Sequence, residues 1–356
     1  MRTNNFNYLE RGSLKVAIIA GENGSGKSRY LRSVARHFAP KKPVTIVCNT
    51  VFDSFIDLKK TSKLSVAQGK NIAVKAIKLA LVKASEQRNP VALKSIANVL
   101  NYCGYSEEIG IEITGLSHQA VELLQYSSFF EKLPPYLKNE IYRPFRVYKS
   151  FDKIHWVRFS ELSIKSLSYM ELVILIEYEA KLRKEKVFDS IKLYFKKNDE
   201  IIPVTNGSSG ELTLIATRLY LDATIAENAI LIIDEPENSL HPLWQKEYIN
   251  KLLDILYYKQ PTIVIATHSP IIVSAAQVKE EDKNNIQIEI YRLEDDKLIK
   301  LEDKQLNSSS VEDTYWNVFN TITPVNSYVS EALITELHRL SDGDTTLGRV
   351  QKLVGW

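Results

Sequence analysis

Residues 21–28 of this 356-residue chain read Gly21-Glu22-Asn23-Gly24-Ser25-Gly26-Lys27-Ser28. The apolar run at residues 14–20 comes directly before this stretch and ends at a glycine, which predicts a short buried strand. A helix ending before Pro40 is predicted next, because apolar residues recur at helical spacing at Leu31, Val34, Ala35 and Phe38. A strand, a glycine turn and a helix open a βαβ unit, so the sequence predicts a parallel sheet.

The composition is that of a globular protein, with 44% hydrophobic and 25% charged residues and a formal net charge of +3. Two cysteines, Cys48 and Cys103, exclude a disulfide framework. The longest apolar runs, such as 229–233, are far shorter than the roughly 20 residues that cross a bilayer. We therefore expect a cytoplasmic protein of about two compact units without a membrane partner.

The spacing G-x-x-x-x-G-K-S between a strand and a helix is typical of a loop that holds nucleotide phosphates. Its glycines let backbone amides turn toward phosphate oxygens, and the helix N-terminus favours an anion. Lys27 is expected to pair with the β- and γ-phosphates, and Ser28 to bind Mg²⁺. The candidate nucleotide-binding residues are Gly21, Asn23, Gly24, Ser25, Gly26, Lys27 and Ser28.

Two carboxylates, Asp234 and Glu235, end the apolar run 229–233. Parallel strands bring their carboxyl ends to one edge of a sheet, so both acids are expected near Lys27. Asp234 is then a candidate Mg²⁺ ligand, and Glu235 is a candidate catalytic base that orients or deprotonates the attacking water. The alternative is a solvated turn between a strand and a helix.

His268 follows the next predicted strand, Thr262 to Ala266, and is a candidate catalytic residue. Its imidazole is expected to hydrogen-bond the γ-phosphate or the attacking water. A purely structural histidine is the alternative.

The stretch Ser208-Ser209-Gly210-Glu211 opens a predicted helix. Small residues at a helix start can bind phosphate through amides and hydroxyls. The same residues form an ordinary helix cap, with Glu211 three positions after Ser208 as in a capping box. The residues alone leave both interpretations open.

The order of these motifs resembles the ATP-binding-cassette class of ATPases, within the branch of RecF, SMC-type and overcoming-lysogenization-defect (OLD) proteins. The resemblance covers about residues 1–50 and 190–277. It implies an α/β P-loop head of the ABC type, with a mostly parallel sheet flanked by helices and with ATP and Mg²⁺ as cofactors. It also implies a homodimer in which Ser208, Ser209 and Gly210 reach the γ-phosphate of the opposite subunit. Residues 237–240 match the loop that communicates across that dimer.

The chain departs from this family's pattern in three places. The glutamine that usually follows the second strand is absent, and Asn49 is either its substitute as a Mg²⁺ ligand or a plain strand-end residue. The strand that usually precedes residue 14 in this family is missing. We therefore expect Phe6 and Tyr8 in the protein core and not in contact with the adenine base of the nucleotide. The clustered acids of the OLD-type nuclease domain are also missing, and residues 294–296 predict a hairpin turn.

The alternation of strands and helices stops after about residue 52 and resumes later in the chain. This interruption predicts a head domain that is divided by an insertion. We assign the head to residues 1–52 and 190–305, an inserted, mainly helical arm to residues 53–189 and a C-terminal helical tail to residues 306–356. Within the arm, residues 53–105 carry nine basic and three acidic side chains. This excess fits either nucleic-acid binding or a solvated helix face.

The resemblance implies a slow regulatory ATPase that controls a separately encoded effector. Stand-alone OLD-like ATPases of this size resemble those of Septu anti-phage systems, which pair with an HNH nuclease. A RecF-like DNA-binding protein of DNA repair is the alternative function. Apolar residues in the tail are candidates for docking the effector, and the alternative is that they belong to the core of the domain. These residues are Trp316, Phe319, Tyr328, Leu333 and Leu337.

Overall fold

A computed structural model describes most of the chain. The described residues are 9, 15–86, 90–147, 153–159, 167–277, 286–294, 297–301, 311–319, 334–335 and 337–340. Phe6, Tyr8, Tyr328 and Leu333 lie outside them, as does the turn at 295–296 and the side chain of Trp316.

The structure consists of helices packed around two sheets. The strands are β1 Lys15–Ala20, β2 Val44–Cys48, β3 Ser62–Ser65, β4 Glu108–Thr114, β5 His155–Arg158, β6 Ser190–Lys197, β7 Glu200–Pro203, β8 Ile230–Asp234, β9 Thr262–Thr267, β10 Gln287–Glu294 and β11 Lys297–Lys300. The helices are α1 Lys27–Phe38, α2 Ile72–Glu86, α3 Pro90–Tyr102, α4 Ala120–Gln125, α5 Ser128–Glu131, α6 Pro135–Val147, α7 Leu167–Glu177, α8 Glu179–Lys184, α9 Ser209–Thr224, α10 Pro242–Leu256, α11 Pro270–Gln277 and α12 Val311–Phe319.

The larger sheet has seven strands in the order β11-β10-β1-β9-β8-β2-β3. All neighbours pair in parallel except β10 and β11, which form an antiparallel hairpin. The predicted strands before the phosphate loop, at the acidic pair and before His268 are confirmed as β1, β8 and β9. Because β9 lies between β1 and β8, the ends of these three strands meet at one edge.

Helices cover both faces of this sheet because its strands are apolar on both faces. In β1, Val16 and Ile18 belong to the core shared with α2 and α9, whereas Ala17 and Ile19 belong to the core shared with α1. Such double burial is typical of parallel strands. The mixed α/β class with a mainly parallel sheet flanked by helices is therefore confirmed.

A second sheet, ordered β5-β4-β6-β7, is antiparallel throughout. We did not predict β4 and β5, which lie in the segment expected to be mainly helical. In β4 the alternation of Ile109, Ile111 and Ile113 was the available signal, and all three side chains are buried. The predicted hairpin corresponds to β6 and β7. It pairs with β4 in this second sheet and not with the seven-stranded sheet. Our predicted boundary at residue 190 nevertheless assigns the hairpin to the head.

The C-terminal region packs against the head through α12, which contacts α11. Phe319, a candidate docking residue, is buried at the end of α12 and so presents no docking surface, whereas Leu337 is exposed. No helix in the described part of the chain combines the length and apolarity that a bilayer crossing requires.

Candidate functional site

The phosphate loop joins β1 to α1 with two glycines in the left-handed region. Gly24 has φ 85°, and Gly26, the residue that precedes α1, has φ 95°. A side chain is disfavoured in this conformation, so the spacing of the glycines has a conformational reason. No side chain caps α1, which leaves the amides at its start free of a protein cap. This arrangement suits a bound anion.

Lys27 is buried beneath the loop. Its Nζ donates hydrogen bonds to the carbonyl oxygens of Gly21 and Glu22, both at 2.8 Å. Burial lowers the pKa of Lys27, while Glu235, Glu237 and Asp234 act in the opposite direction. The ammonium group therefore lies within the field of the three acids at the end of β8 and in the turn after it.

Asp234 is fully buried at the end of β8. Among the described residues, neither of its carboxylate oxygens has a hydrogen-bond partner. Burial raises the pKa of Asp234 to about 6, and the Ser28 hydroxyl and Lys27 partly oppose this shift. A buried carboxylate without a partner is costly unless a cation or a donor satisfies it.

Asn49 directly follows β2 and is hydrogen-bonded to the acidic strand. Its amide donates to the Asp234 carbonyl at 3.0 Å, and its carbonyl accepts from Asn238 Nδ2 at 3.2 Å. The side-chain oxygen of Asn49 is buried and has no partner among the described residues. Hydroxyl, carboxylate and amide oxygens are ligands that Mg²⁺ accepts, so Ser28, Asp234 and Asn49 fit the ion chemically.

Glu235 adopts a left-handed conformation with φ 51°, which is uncommon outside glycine. Its amide donates to the Ala266 carbonyl at 2.9 Å, and its Oε2 accepts from Asn238 Nδ2 at 2.8 Å. Backbone strain of this kind persists where the surrounding contacts enforce it, and it is concentrated at functional sites.

His268 lies between the carboxylates of Glu235 and Glu237. Its Nδ1 is 3.9 Å from Glu235 Oε1 and 3.0 Å from Glu237 Oε1. The contact with Glu237 raises the pKa of His268, although burial opposes it. The structure thus brings His268, Glu235 and Lys27 to the same edge of the sheet.

Glu237 is a further residue of the candidate site, and our sequence analysis placed it only in a loop matched to the family. Its Oε1 accepts hydrogen bonds from Thr267 Oγ1 at 2.8 Å and from the His268 amide at 2.6 Å. The side chain is buried and ties the turn after β8 to the turn after β9. In the sequence, the one signal for a place of Glu237 at this site was that it is the third acidic residue within four positions, after Asp234 and Glu235.

Ser208, Ser209 and Gly210 do not line the cavity above the phosphate loop of the same chain. Ser208 and Glu211 form a capping box, in which the Ser208 hydroxyl accepts from the Glu211 amide at 3.3 Å. Ser208 and Ser209 are exposed at the start of α9, whereas Gly210 is buried. The capping role is therefore realised, and the exposed position leaves both serines accessible to another molecule.

An open cavity of about 530 Å³ lies over the phosphate loop. Its volume is in the range of roughly 300–1,000 Å³ that small-molecule sites occupy. The loop contributes Gly21, Glu22, Gly24, Ser25 and Gly26, whereas Asn23 is exposed and does not line the cavity.

A second cavity of about 320 Å³ lies between α3, α9 and α10 and touches Asn49. Trp244, Tyr248 and Ile255 of α10 line this cavity and are half-buried. Among the described residues, no three His, Cys, Asp or Glu side chains are grouped to hold a metal ion.

Residues 106–274 match the family described as "AAA domain, putative AbiEii toxin, Type IV TA system". This segment contains Asp234, Glu235 and His268 but begins after the phosphate loop. The protein ea59 of Escherichia phage lambda is 28% identical over 117 residues, which cover 31% of this chain. The aligned segment of this chain spans 22% of the length of ea59.

A solved structure of VirB4 of Thermoanaerobacter pseudethanolicus aligns at 10% identity and a TM-score of 0.32, covering 79% of each chain. The fold is a mixed α/β arrangement with a mainly parallel sheet, and the phosphate-loop sequence, the acidic strand and the histidine lie at one edge of that sheet. Together with the matched family, this arrangement supports a P-loop ATPase domain in the chain.

Proposed function

We propose that this chain is an ABC-type ATPase head that binds Mg²⁺ and ATP and hydrolyses the nucleotide slowly. The observation that carries the proposal is the meeting of Lys27, Asp234, Glu235 and His268 at the ends of three adjacent strands. A cation under a phosphate loop, beside a carboxylate without a partner, is the arrangement that nucleoside triphosphate hydrolysis requires.

The residues divide the reaction among them. Lys27 exchanges its loop carbonyl partners for phosphate oxygens, and Glu235 accepts a proton from the water that attacks the γ-phosphorus. His268 Nδ1 lies 3.0 Å from Glu237 Oε1 and 3.9 Å from Glu235 Oε1, so the imidazole is paired with Glu237 beside the proposed base. His268, held toward its protonated form by Glu237, donates to the γ-phosphate. Bound Mg²⁺, held by Ser28, Asp234 and Asn49, would supply positive charge to the phosphates.

We further propose that ATP holds two heads together and that the dimer controls a separate effector protein. The exposed Ser208 and Ser209, away from the loop of their own chain, support a contact with the nucleotide of a second copy. A separately encoded nuclease or toxin of bacterial anti-phage defence is the proposed effector, with the HNH type as one candidate. The match to a family described by a toxin–antitoxin system is consistent with a protein partner.

The test is ATP turnover by Glu235→Gln in the full-length protein. We expect hydrolysis to fall to background while ATP affinity is kept, because the amide cannot accept the proton but keeps the size of the side chain. Lys27→Ala is the matched variant and should lose nucleotide binding. Turnover by Glu235→Gln at the parental rate would refute the assignment of Glu235.

A second candidate function is DNA binding of the RecF type. The basic excess of residues 53–105 favours it, and Lys59, Lys60, Lys70 and Lys94 of that segment are exposed. Binding of duplex DNA by the isolated protein should then weaken steeply with salt. No binding at low salt would remove this candidate.

A further inference from the structure

The cavity of about 320 Å³ between α3, α9 and α10 shares no lining residue with the cavity over the phosphate loop. Its wall is mostly apolar, and its volume lies near the lower end of the range that small-molecule sites occupy. Several apolar side chains of the wall are half-buried or exposed, so a molecule that enters can reach them. They are Tyr102, Leu214, Trp244, Tyr248 and Ile255.

Aromatic rings form one side of this cavity. The ring centroids of Tyr102 and Trp244 are 6.3 Å apart, and the ring planes are tilted by 37°. The Tyr102 hydroxyl donates to Glu247 Oε2 at 2.5 Å, and Lys251 Nζ lies 4.9 Å from the centre of the Tyr102 ring. These contacts hold Tyr102 in place before a ligand arrives. A flat aromatic ligand gains ring contacts at such a wall.

One buried hydroxyl of the wall lacks a hydrogen-bond partner. Thr217 of α9 is only 7% exposed, and its Oγ1 has no partner among the described residues. Buried polar groups are nearly always hydrogen-bonded, so this hydroxyl favours a ligand with a polar group. The charged residues of the wall have both signs, which favours an uncharged ligand over an ion. They are Arg218, Lys251 and Asp254.

We propose that this cavity binds a small uncharged aromatic molecule with one hydrogen-bonding group, of the indole or phenol class. The ring of the ligand lies against Tyr102 and Trp244, and its polar group bonds the Thr217 hydroxyl. Binding at this cavity does not depend on the proposed ATPase activity, because the two cavities have separate linings.

The cavity adjoins the candidate nucleotide site at two points. Asn49, a candidate Mg²⁺ ligand, and Pro236, the residue after Glu235, both line it. Trp244 also lies against the first turn of α9, since a Cβ atom at Gly210 would be 3.3 Å from its ring. A ligand between α9 and α10 therefore fixes these elements relative to one another. On the proposed function, occupancy of the cavity changes the rate of ATP turnover.

The binding test uses 5-fluoroindole as the probe and fluorine NMR of the full-length protein without nucleotide. For a ligand of this size we expect a dissociation constant on the order of 1 mM. Leu214→Trp fills the cavity and should weaken binding by at least about tenfold. Leu337→Trp makes the same change at an exposed position outside the cavity, so it is the matched control and should bind like the parent. Parental affinity in Leu214→Trp, or no saturable binding to the parent, would overturn the proposal.

Thr217→Val tests the hydrogen bond. The hydroxyl has no partner in the protein, so its removal should not destabilise the fold. This variant should bind 5-fluoroindole about threefold to tenfold more weakly. It should bind 5-fluoro-1-methylindole, which lacks the N–H group, as tightly as the parent does. Equal affinities of parent and variant for 5-fluoroindole would contradict the role of Thr217.

The effect on the nucleotide site is measured as MgATP turnover at saturating 5-fluoroindole. The rate of the parent should change by at least about twofold, whereas the rate of Leu214→Trp should not respond to the probe. A parental rate that does not respond would overturn the effect on turnover. A parent that binds the probe but hydrolyses no ATP would refute the proposed ATPase activity and leave the binding site standing.

Discussion

Glu237 favours the protonated form of His268, because its carboxylate contacts both the backbone and the ring of that residue. The Oε1 atom accepts the His268 amide at 2.6 Å and lies 3.0 Å from Nδ1. The free energy of protonation of the imidazole therefore depends on a residue that follows a different strand. A donor toward a γ-phosphate must be protonated, so Glu237 is a positioning residue for His268.

Replacing Glu237 by Gln should lower the pKa of His268 toward its ordinary value. The amide oxygen can still accept from Thr267 and from the His268 backbone, but the negative charge that favours imidazolium is lost. Below the parental pKa the ring of the parent is charged and paired, and this pairing is lost as pH rises. Proton NMR titration of the imidazole measures the shift, and an unchanged midpoint would contradict this role for Glu237.

The position of single residues was predictable where they lie at the end of a strand. Asp234, Glu235 and His268 were expected close together because the carboxyl ends of parallel strands meet at one edge. Arg292, which lines the cavity above the phosphate loop, was not predicted there. Its place beside the loop depends on the pairing of β1 with β10, which joins residues about 270 positions apart and leaves no local pattern in the sequence.

The first turn of α9 approaches the loop after β8 more closely than a side chain allows. A Cβ atom at Gly210 would lie 2.4 Å from the backbone carbonyl oxygen of Ser239. This glycine therefore has a packing reason that is independent of any phosphate. The contact also joins α9, the helix that begins with Ser208 and Ser209, to the loop of residues 237–240.

Gly210→Ala should destabilise the protein by about 1–3 kcal/mol, because the helix or the loop must move to admit the methyl group. Ser209→Ala, one residue away and exposed, should change stability by no more than about 0.5 kcal/mol. Denaturant unfolding measures both free energies. Equal stabilities for the two variants would show that the loop moves without cost.

Elements with a strong period were predicted, and the strands β4 and β5 within the insertion were not. The buried face of α1 follows the helical spacing of Leu31, Val34 and Phe38, and all three side chains are buried. The four residues of β5 are too few for a clear alternation. Its pairing with β4, more than 40 residues earlier, is a tertiary contact that propensity does not report.

At the scale of the whole molecule, the proposed ATP-bound state is a pair of heads. Glu235→Gln with MgATP should sediment at twice the mass of the nucleotide-free protein, because hydrolysis no longer separates the subunits. Ser208→Arg introduced into the same variant should remain a monomer while still binding ATP, since Ser208 is exposed at the start of α9. Dimers of undiminished stability in the double variant would contradict the role of Ser208.

The position of β1 in the sheet has a consequence for synthesis on the ribosome. Its hydrogen-bonded neighbours, β9 and β10, begin at Thr262 and Gln287, whereas β1 itself begins at Lys15. The strand that carries the phosphate loop is therefore translated long before its two neighbours in the sheet. An emerging chain presents this apolar strand without neighbours for many seconds at about 5–20 residues per second. The sheet edge that carries the phosphate loop is therefore completed only after β9 and β10 have been synthesised.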